Sequence, residues 1–178
     1  MPTKSDMVAG ITDNLRRVFQ VVNERSKKAE RETGLTGPQL WSIKLIADSG
    51  PLKISELARR MYLHPATVGG ILDRLETKGF VFRTRSRSDR RVVRVDLTAE
   101  GKGLVEKAPE VAQGLLVAGL VKLSGEKLRT ILAGLTDMVK ILGAQEIPPQ
   151  LLLSSEVNQP GQKRKLPQKH DNRSAKHE

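Results

Sequence analysis

Six of the twelve residues at positions 83–94 are arginines, and a single aspartate accompanies them. The planar guanidinium group of arginine binds phosphate oxygens through paired hydrogen bonds and enters narrow minor grooves of duplex DNA. Solvated surfaces usually intersperse both signs of charge, which this segment does not. We therefore predict that residues 83–94 contact a nucleic-acid backbone or minor groove. The alternative is a charged hairpin that only keeps an exposed strand edge in solution.

The same segment holds a large share of the charge of the whole chain. The 178 residues contain 31 Lys and Arg against 20 Asp and Glu, a formal charge of +11. Six basic and four acidic residues follow residue 143, so +9 belongs to residues 1–143, and +5 of that to residues 83–94. A basic balance of this size suits nucleic acid, an anionic membrane surface or plain solubility. Composition alone does not choose among the three.

Several kinds of chemistry are excluded or disfavoured. The chain has no cysteine, which rules out disulfides, thiolate metal sites and cysteine nucleophiles. Its three histidines, His64, His170 and His177, are too scattered for a metal cluster, and no cofactor is predicted. No nucleophile–base pair, glycine-rich phosphate loop or pair of carboxylates indicates an enzyme. No apolar run approaches the ~18 residues of a membrane span, so we expect a soluble, cytoplasmic protein without a membrane partner.

Hydrophobic periodicity predicts the elements that position the arginine segment. Apolar residues three and four apart indicate a helix within the first thirty residues. Thr36 and Gln39 form a capping-box pattern that opens a second helix, with Leu40, Ile43 and Ala47 on its inward face. A short helix is predicted at residues 54–61, and another begins at Pro65, ends at Lys78-Gly79 and has an inward face of Val68, Ile71, Leu72 and Leu75.

The period then changes from 3.6 to 2, which predicts two strands, one from Phe80 to Arg85 and one around Val93 to Leu97. Thr98 is predicted to cap a long helix that bends or breaks at Pro109, and Ser124 opens the last one. Two short helices joined by a tight turn and followed by a hairpin describe a winged helix-turn-helix, whose second helix lies in the DNA major groove.

Motifs in this order give the sequence a resemblance to the MarR family of bacterial transcription regulators over residues 33–142. The motifs are Leu35-Thr36-x-x-Gln39, Glu56-Leu57-Ala58-Arg59-Arg60, Thr67-Val68, Leu72-Asp73-Arg74-Leu75-Glu76-x-Lys78-Gly79, Arg83, Ser88-Asp89-Arg90-Arg91 and Val95-x-Leu97-Thr98-x-x-Gly101. The resemblance implies a mainly α fold with a small β-hairpin wing, in which N- and C-terminal helices flank a winged helix-turn-helix and form a two-fold dimer. The corresponding units are a dimerisation helix at 1–33, a DNA-binding domain at 34–101 and dimerisation helices at 102–143. Residues 144–178 lie outside the resemblance, and their polar, Lys- and Arg-rich composition without sustained periodicity predicts a disordered basic tail.

In the recognition helix, the outward face and its N-terminus supply the candidate base-reading residues: His64, Pro65, Ala66, Thr67, Gly69, Gly70 and Arg74. Many family members carry larger polar or basic residues where Gly69 and Gly70 stand. Two glycines within a helix lower its stability by about 2 kcal/mol relative to alanines, so their presence needs an explanation. They either let the helix backbone approach DNA closely, relieve crowding against a neighbouring helix, or are simply tolerated. His64 either reads DNA or only caps the helix.

Further candidates surround the recognition helix. In the wing they are Arg83, Arg85, Arg87, Asp89, Arg90 and Arg91, and the resemblance implies that Asp89 orients Arg91 into the minor groove. Thr36, Ser42 and Arg74 are candidate backbone contacts, although each could equally be a cap or a solvated residue. Trp41 is a candidate pocket residue whose alternative is the core.

The predicted function is a sequence-specific DNA-binding transcription regulator, a ligand-responsive homodimeric repressor of a pseudo-palindromic operator with a small-molecule effector. The alternative is an architectural, weakly specific DNA-binding protein.

Overall fold

The computed structural model describes residues 1–85 and 92–147, and the predicted helices and the two predicted strands occur in it in the predicted order. The elements are α1 (Lys4–Thr33), α2 (Gly37–Ser49), β1 (Leu52–Lys53), α3 (Ile54–Met61), α4 (Pro65–Thr77), β2 (Val81–Arg85), β3 (Val93–Leu97), α5 (Ala99–Lys107), α6 (Ala112–Leu120) and α7 (Gly125–Ile141). The predicted fold class, a mainly helical winged helix-turn-helix with flanking helices, is confirmed. Four predicted wing residues (Arg87, Asp89, Arg90 and Arg91) and most of the predicted tail lie outside the described residues.

Short polar side chains and glycines fix the helix ends. At the start of α1, the Thr3 hydroxyl and the Thr3 N–H donate to Asp6 Oδ2 at 2.7 and 2.8 Å, and these bonds hold the pKa of Asp6 below its ordinary value. The Thr36 N–H donates to Gln39 Oε1 at 3.1 Å at the start of α2, as the capping-box pattern predicts. Gly34, with φ of 67°, ends α1 in the left-handed conformation that glycine adopts most readily.

A third strand joins the predicted hairpin. β3 lies at the centre of an antiparallel sheet of order β1-β3-β2, with Leu52 opposite Val95 on one side and Arg83 opposite Val95 on the other. At two residues, β1 is too short to give the alternating pattern from which strands are predicted. The base of the wing is therefore held on both sides of β3, by β2 and by β1.

The core lies where α2, α3 and α4 meet the sheet. All four residues predicted for the inward face of α4 are fully buried there. α2 differs from its prediction, because Ile46 is buried and Ala47 is exposed. Its first seven residues are all buried, so this part of α2 is covered on every side and has no single inward face. The fully buried apolar residues that join these elements are Leu40, Ile43, Ile46, Leu57, Val68, Ile71, Leu72, Leu75 and Val95.

The predicted interruption at Pro109 separates α5 from α6. α5 ends at Lys107, and Ala108 is extended, with ψ of 139°. A residue that precedes proline is driven out of the helical conformation by contact with the proline ring, which accounts for the break. The predicted boundary between residues 101 and 102 falls inside α5, a helix that packs on α2 and β3.

Apolar side chains on the flanking helices remain exposed in the single chain. On α1 they include Met7, Ile11, Val18 and Phe19, and on α7 they include Ile131, Leu132, Leu135 and Val139. Within the described ranges α7 buries none of its residues. Among the helices described, none has both the length and the apolar composition that spanning a bilayer requires.

Candidate nucleic-acid interface

The exposed side of α4 begins with a segment that is nearly free of side-chain bulk. Pro65 and Ala66 are exposed, Thr67 is half-buried, and Gly69 and Gly70 follow one turn later. A β-carbon built at either glycine meets no atom of the described chain within 4 Å. The explanation that these glycines relieve crowding against a neighbouring helix is therefore wrong. We call Ala66, Gly69 and Gly70 the glycine face.

His64 caps this helix. Its Nδ1 accepts a hydrogen bond from the Ala66 N–H at 3.3 Å, and Pro65 occupies the first helical position. Nδ1 must be unprotonated to accept, so the proton of the neutral ring resides on Nε2. Since His64 is exposed, capping and DNA contact are compatible, with Nε2–H as the available donor.

Arg83 joins the wing to α4. Its Nη1 donates to Asp73 Oδ1 at 2.7 Å and to Glu76 Oε2 at 3.0 Å, while its Nη2 donates to the Gly69 carbonyl oxygen at 3.2 Å. The backbone N–H of Arg83 also donates, to Glu76 Oε1 at 3.2 Å. The structure thus places this predicted wing residue against the recognition helix, with its side chain only 24% exposed.

Arg85 is a described wing residue that lies on the surface. Successive side chains of a strand alternate between the two faces of a sheet, so Arg85 shares a face with Arg83 and with the buried Val81. That face packs on α4, and exposed Arg85 lies on it beyond Arg83. Arg74 is half-buried on α4. The structure therefore brings Arg83, Arg85 and the glycine face to one side of the molecule.

Two further predicted residues, Ser42 and Trp41, belong to the interior, and a third, Thr36, is half-buried. Ser42 is 0% exposed, and its hydroxyl donates to the Pro38 carbonyl oxygen at 2.8 Å, so the prediction that it contacts a DNA backbone is wrong. The hydroxyl oxygen of Thr36 is also buried, so it is not available to a DNA phosphate, and Thr36 stands at the N-cap position of α2. Trp41 is buried against α6, where a β-carbon on Gly114 would lie 3.2 Å from its ring. Its core role is the one that the structure shows.

Other exposed residues of the winged domain are not among the individually predicted site residues. Tyr62 has φ of 53° in the turn before α4 and is 70% exposed. Left-handed backbone is uncommon for a residue other than glycine, and no sequence pattern marks it. Lys53 and Arg94 are opposite one another across β1 and β3 and are both exposed. Their register, which periodicity does not give, places two like charges side by side.

Comparison with known proteins identifies what this arrangement resembles. The MarR family model matches residues 35–93. The chain is 34% identical over 101 residues to the HTH-type transcriptional repressor MdtR of Bacillus subtilis, a match that covers 57% of this chain and 65% of MdtR, just under two thirds of it. It is 30% identical over 141 residues to the HTH-type transcriptional regulator FarR of Neisseria gonorrhoeae, with 79% of this chain and 96% of FarR covered.

Solved structures share the fold. The crystal structure of a MepR-like protein complexed with pseudoligands superposes with a TM-score of 0.51 at 26% sequence identity. The match covers 79% of this chain and 97% of that protein. The similarity therefore extends beyond residues 35–93 to the flanking helices.

Proposed function

Because this chain belongs to the MarR family, we propose that it is a DNA-binding transcription regulator that acts in the cytoplasm as a homodimeric repressor. Its DNA partner is a double-stranded, pseudo-palindromic operator. The observation that carries the proposal is the position of the glycine face beside the base of an arginine-rich wing. A helix without bulky side chains enters the major groove with its backbone close to the base pairs, while arginines reach phosphates and the minor groove.

The recognition residues have separate tasks in this proposal. Pro65 and Ala66 contact thymine methyl groups, Thr67 and the His64 Nε2–H supply hydrogen bonds, and the glycine face allows the close approach. Arg85, Arg87 and Arg90 contact phosphates. Asp89 orients Arg91, which enters the minor groove.

Dimerisation is the second part of the proposal. The exposed apolar stripes of α1 and α7 have more surface than a small winged domain can cover within one chain. Apolar surface of this extent is normally covered by a partner. A second copy of the chain supplies matching stripes under two-fold symmetry, the commonest symmetry of homo-oligomers. Residues 1–33 and 102–143 then form the dimer, and 34–101 the DNA-binding domain. Two recognition helices related in this way fit two half-sites of a palindrome.

Repression and ligand response complete the proposal. MdtR is named a repressor, and the MepR-like protein was crystallised with pseudoligands. In this chain α2 of the winged domain packs on α6 through Trp41 and Gly114. A small-molecule effector that binds near this junction and prefers one arrangement of the two units shifts the spacing of the recognition helices.

The rival function is an architectural protein that coats DNA with weak specificity. It is favoured by one observation: the glycine face has no side chains that hydrogen-bond base edges. On this alternative, affinity comes mainly from phosphate contacts and falls steeply with salt.

Footprinting separates the two functions. The full chain is used to select duplexes from a random pool, and the enriched sequence and the region upstream of its own gene are then probed by nuclease protection. The proposed repressor protects a short palindromic site, whereas the architectural protein protects long tracts without enrichment. Absence of duplex binding even at low salt contradicts both. Sedimentation at micromolar concentration tests the dimer, and a monomer there overturns that part.

A further inference from the structure

Three hydrogen-bond acceptors on α4 bind one arginine of the wing, Arg83. Gly69, Asp73 and Glu76 are spaced by four and three residues and so lie along one stripe of the helix. Arg83 crosses that stripe, and its guanidinium contacts a carbonyl oxygen and two carboxylates at 2.7 to 3.2 Å. Charge-assisted hydrogen bonds with this many partners hold a side chain more firmly than a single exposed ion pair does.

We propose that Arg83 is a positioning residue that fixes the wing to the recognition helix, and not a DNA contact. This inference rests on the proposed DNA-binding function, and it reverses the role that sequence alone gives to Arg83. The wing reads one part of the DNA and α4 another, so the distance between them must match the distance between adjacent grooves. Arg83 stands in β2 at the base of the wing, so its contacts set the angle between this strand and α4.

Arg83 also offsets the negative charges of two carboxylates on α4. Asp73 is 68% exposed on the side of the helix that carries Gly70, and an unpaired carboxylate there repels phosphate. The Arg83 Nη1 lies 2.7 Å from Asp73 Oδ1 and offsets that charge. Because one guanidinium pairs with two carboxylates, removal of Arg83 takes from both of them the positive charge that they share among the described residues.

A mutant cycle measures whether Arg83 acts through its carboxylate partners. The variants are Arg83→Gln, the double variant Asp73→Asn/Glu76→Gln and their combination, with affinity for the selected duplex measured by fluorescence anisotropy at fixed salt. Arg83→Gln alone is expected to weaken binding by about tenfold, and by less than about twofold once both carboxylates are neutralised. A direct DNA contact predicts the same loss in both backgrounds.

Arg85→Gln is the matched control, because Arg85 lies on the same face of β2 but is exposed. Its loss of affinity is expected to be equal in the two backgrounds. Arg83→Lys keeps the charge but not the planar fork, and it should recover only part of the loss that Arg83→Gln causes. Full recovery by lysine contradicts the positioning role, since a point charge then suffices.

Hydrogen exchange of the free protein tests the same contact without DNA. In Arg83→Gln, the amides of residues 82–85 and 93–95 are expected to exchange about tenfold faster, while the buried amides of α2 keep their rates. Unchanged exchange in the wing overturns the proposal. If the wild-type chain binds no duplex, the proposed function fails, and the exchange rates still decide whether Arg83 holds the wing.

Discussion

Gly101 of α5 lies directly against the backbone of Phe80, so that a β-carbon at position 101 would be 2.1 Å from the Phe80 carbonyl oxygen. Around this contact, the Thr98 N–H donates to the same oxygen at 3.1 Å, and the Thr98 hydroxyl donates to the Gly79 carbonyl oxygen at 2.7 Å. The Thr98 hydroxyl also accepts from the Gly101 N–H at 3.0 Å and caps α5. The Leu97-Thr98-x-x-Gly101 motif therefore fastens α5 to the turn between α4 and the wing.

Gly101→Ala is accordingly expected to lower the free energy of unfolding by about 2 kcal/mol or more, because backbone must shift to admit the methyl group. Gly103→Ala is the matched control in the same helix, where a β-carbon meets nothing within 4 Å of the described chain. It should raise the free energy of unfolding by about 0.5–1 kcal/mol through helix propensity. Urea unfolding measures both. Equal effects of the two substitutions contradict the close packing.

Gly70→Ala separates stability from DNA affinity. The added methyl group meets open space in the chain, so the free energy of unfolding should rise by about 0.5–1 kcal/mol. If the helix backbone approaches the bases closely, the same methyl group weakens operator binding. Anisotropy measures the affinity, and Gly103→Ala controls for the gain in stability. Unchanged affinity in Gly70→Ala removes the close-approach explanation and leaves glycines that are merely tolerated.

The cap and the reading role of His64 can be tested separately. His64→Ala removes the acceptor for the Ala66 N–H and is expected to lower the free energy of unfolding by about 1 kcal/mol. His64→Asn keeps an acceptor of good capping geometry and should be near wild type in urea unfolding. If Nε2–H also contacts DNA, His64→Asn binds the operator more weakly despite its stability. Wild-type affinity in that variant assigns His64 to capping alone.

The apolar stripe of α7 should be sensitive to charge. Leu132 is 65% exposed in the single chain, so Leu132→Glu is expected to leave each subunit folded but to convert the dimer to a monomer, because a carboxylate is costly at a buried interface. Sedimentation equilibrium and circular dichroism measure the two properties. Thr130→Glu, on the opposite side of the helix, should remain dimeric. Dimers in both variants indicate that α7 takes no part in the interface.

Arg91 and Asp89, which lie outside the described residues, carry a prediction from the sequence. Arg91→Ala should weaken operator binding and lower the slope of log K against log salt by about 1, the change expected for one lost phosphate-type contact. Asp89→Ala should also weaken binding although it removes a negative charge, because Arg91 then loses the group that orients it. Titrations at several salt concentrations provide both values. A gain in affinity in Asp89→Ala refutes the orienting role.

Much of the fold follows from local signals. Helix caps, prolines and glycines act on the backbone within a few residues of their own position. They therefore predict where α2 and α4 begin, where α4 ends, and the break between α5 and α6, from Thr36, Gly79 and the prolines at 38, 65 and 109. α4 has one buried face, and its period gives all four core positions correctly. α2 is buried on all sides over its first half and so has no single apolar face from which the period can be read. The helical period therefore predicted Ala47 as a core residue, whereas Ile46 is the buried one.

The candidate site divides in the same way. Composition and spacing alone determined that this chain concentrates arginine in a hairpin next to a helix-turn-helix, because charge and periodicity are properties of the local sequence. Only the tertiary structure decided what each side chain meets. In it Ser42 is buried, the space around Gly69 and Gly70 is open, and Arg83 forms ion pairs with Asp73 and Glu76. Such contacts join residues that are distant along the chain, and the packing of α4 against the sheet creates them.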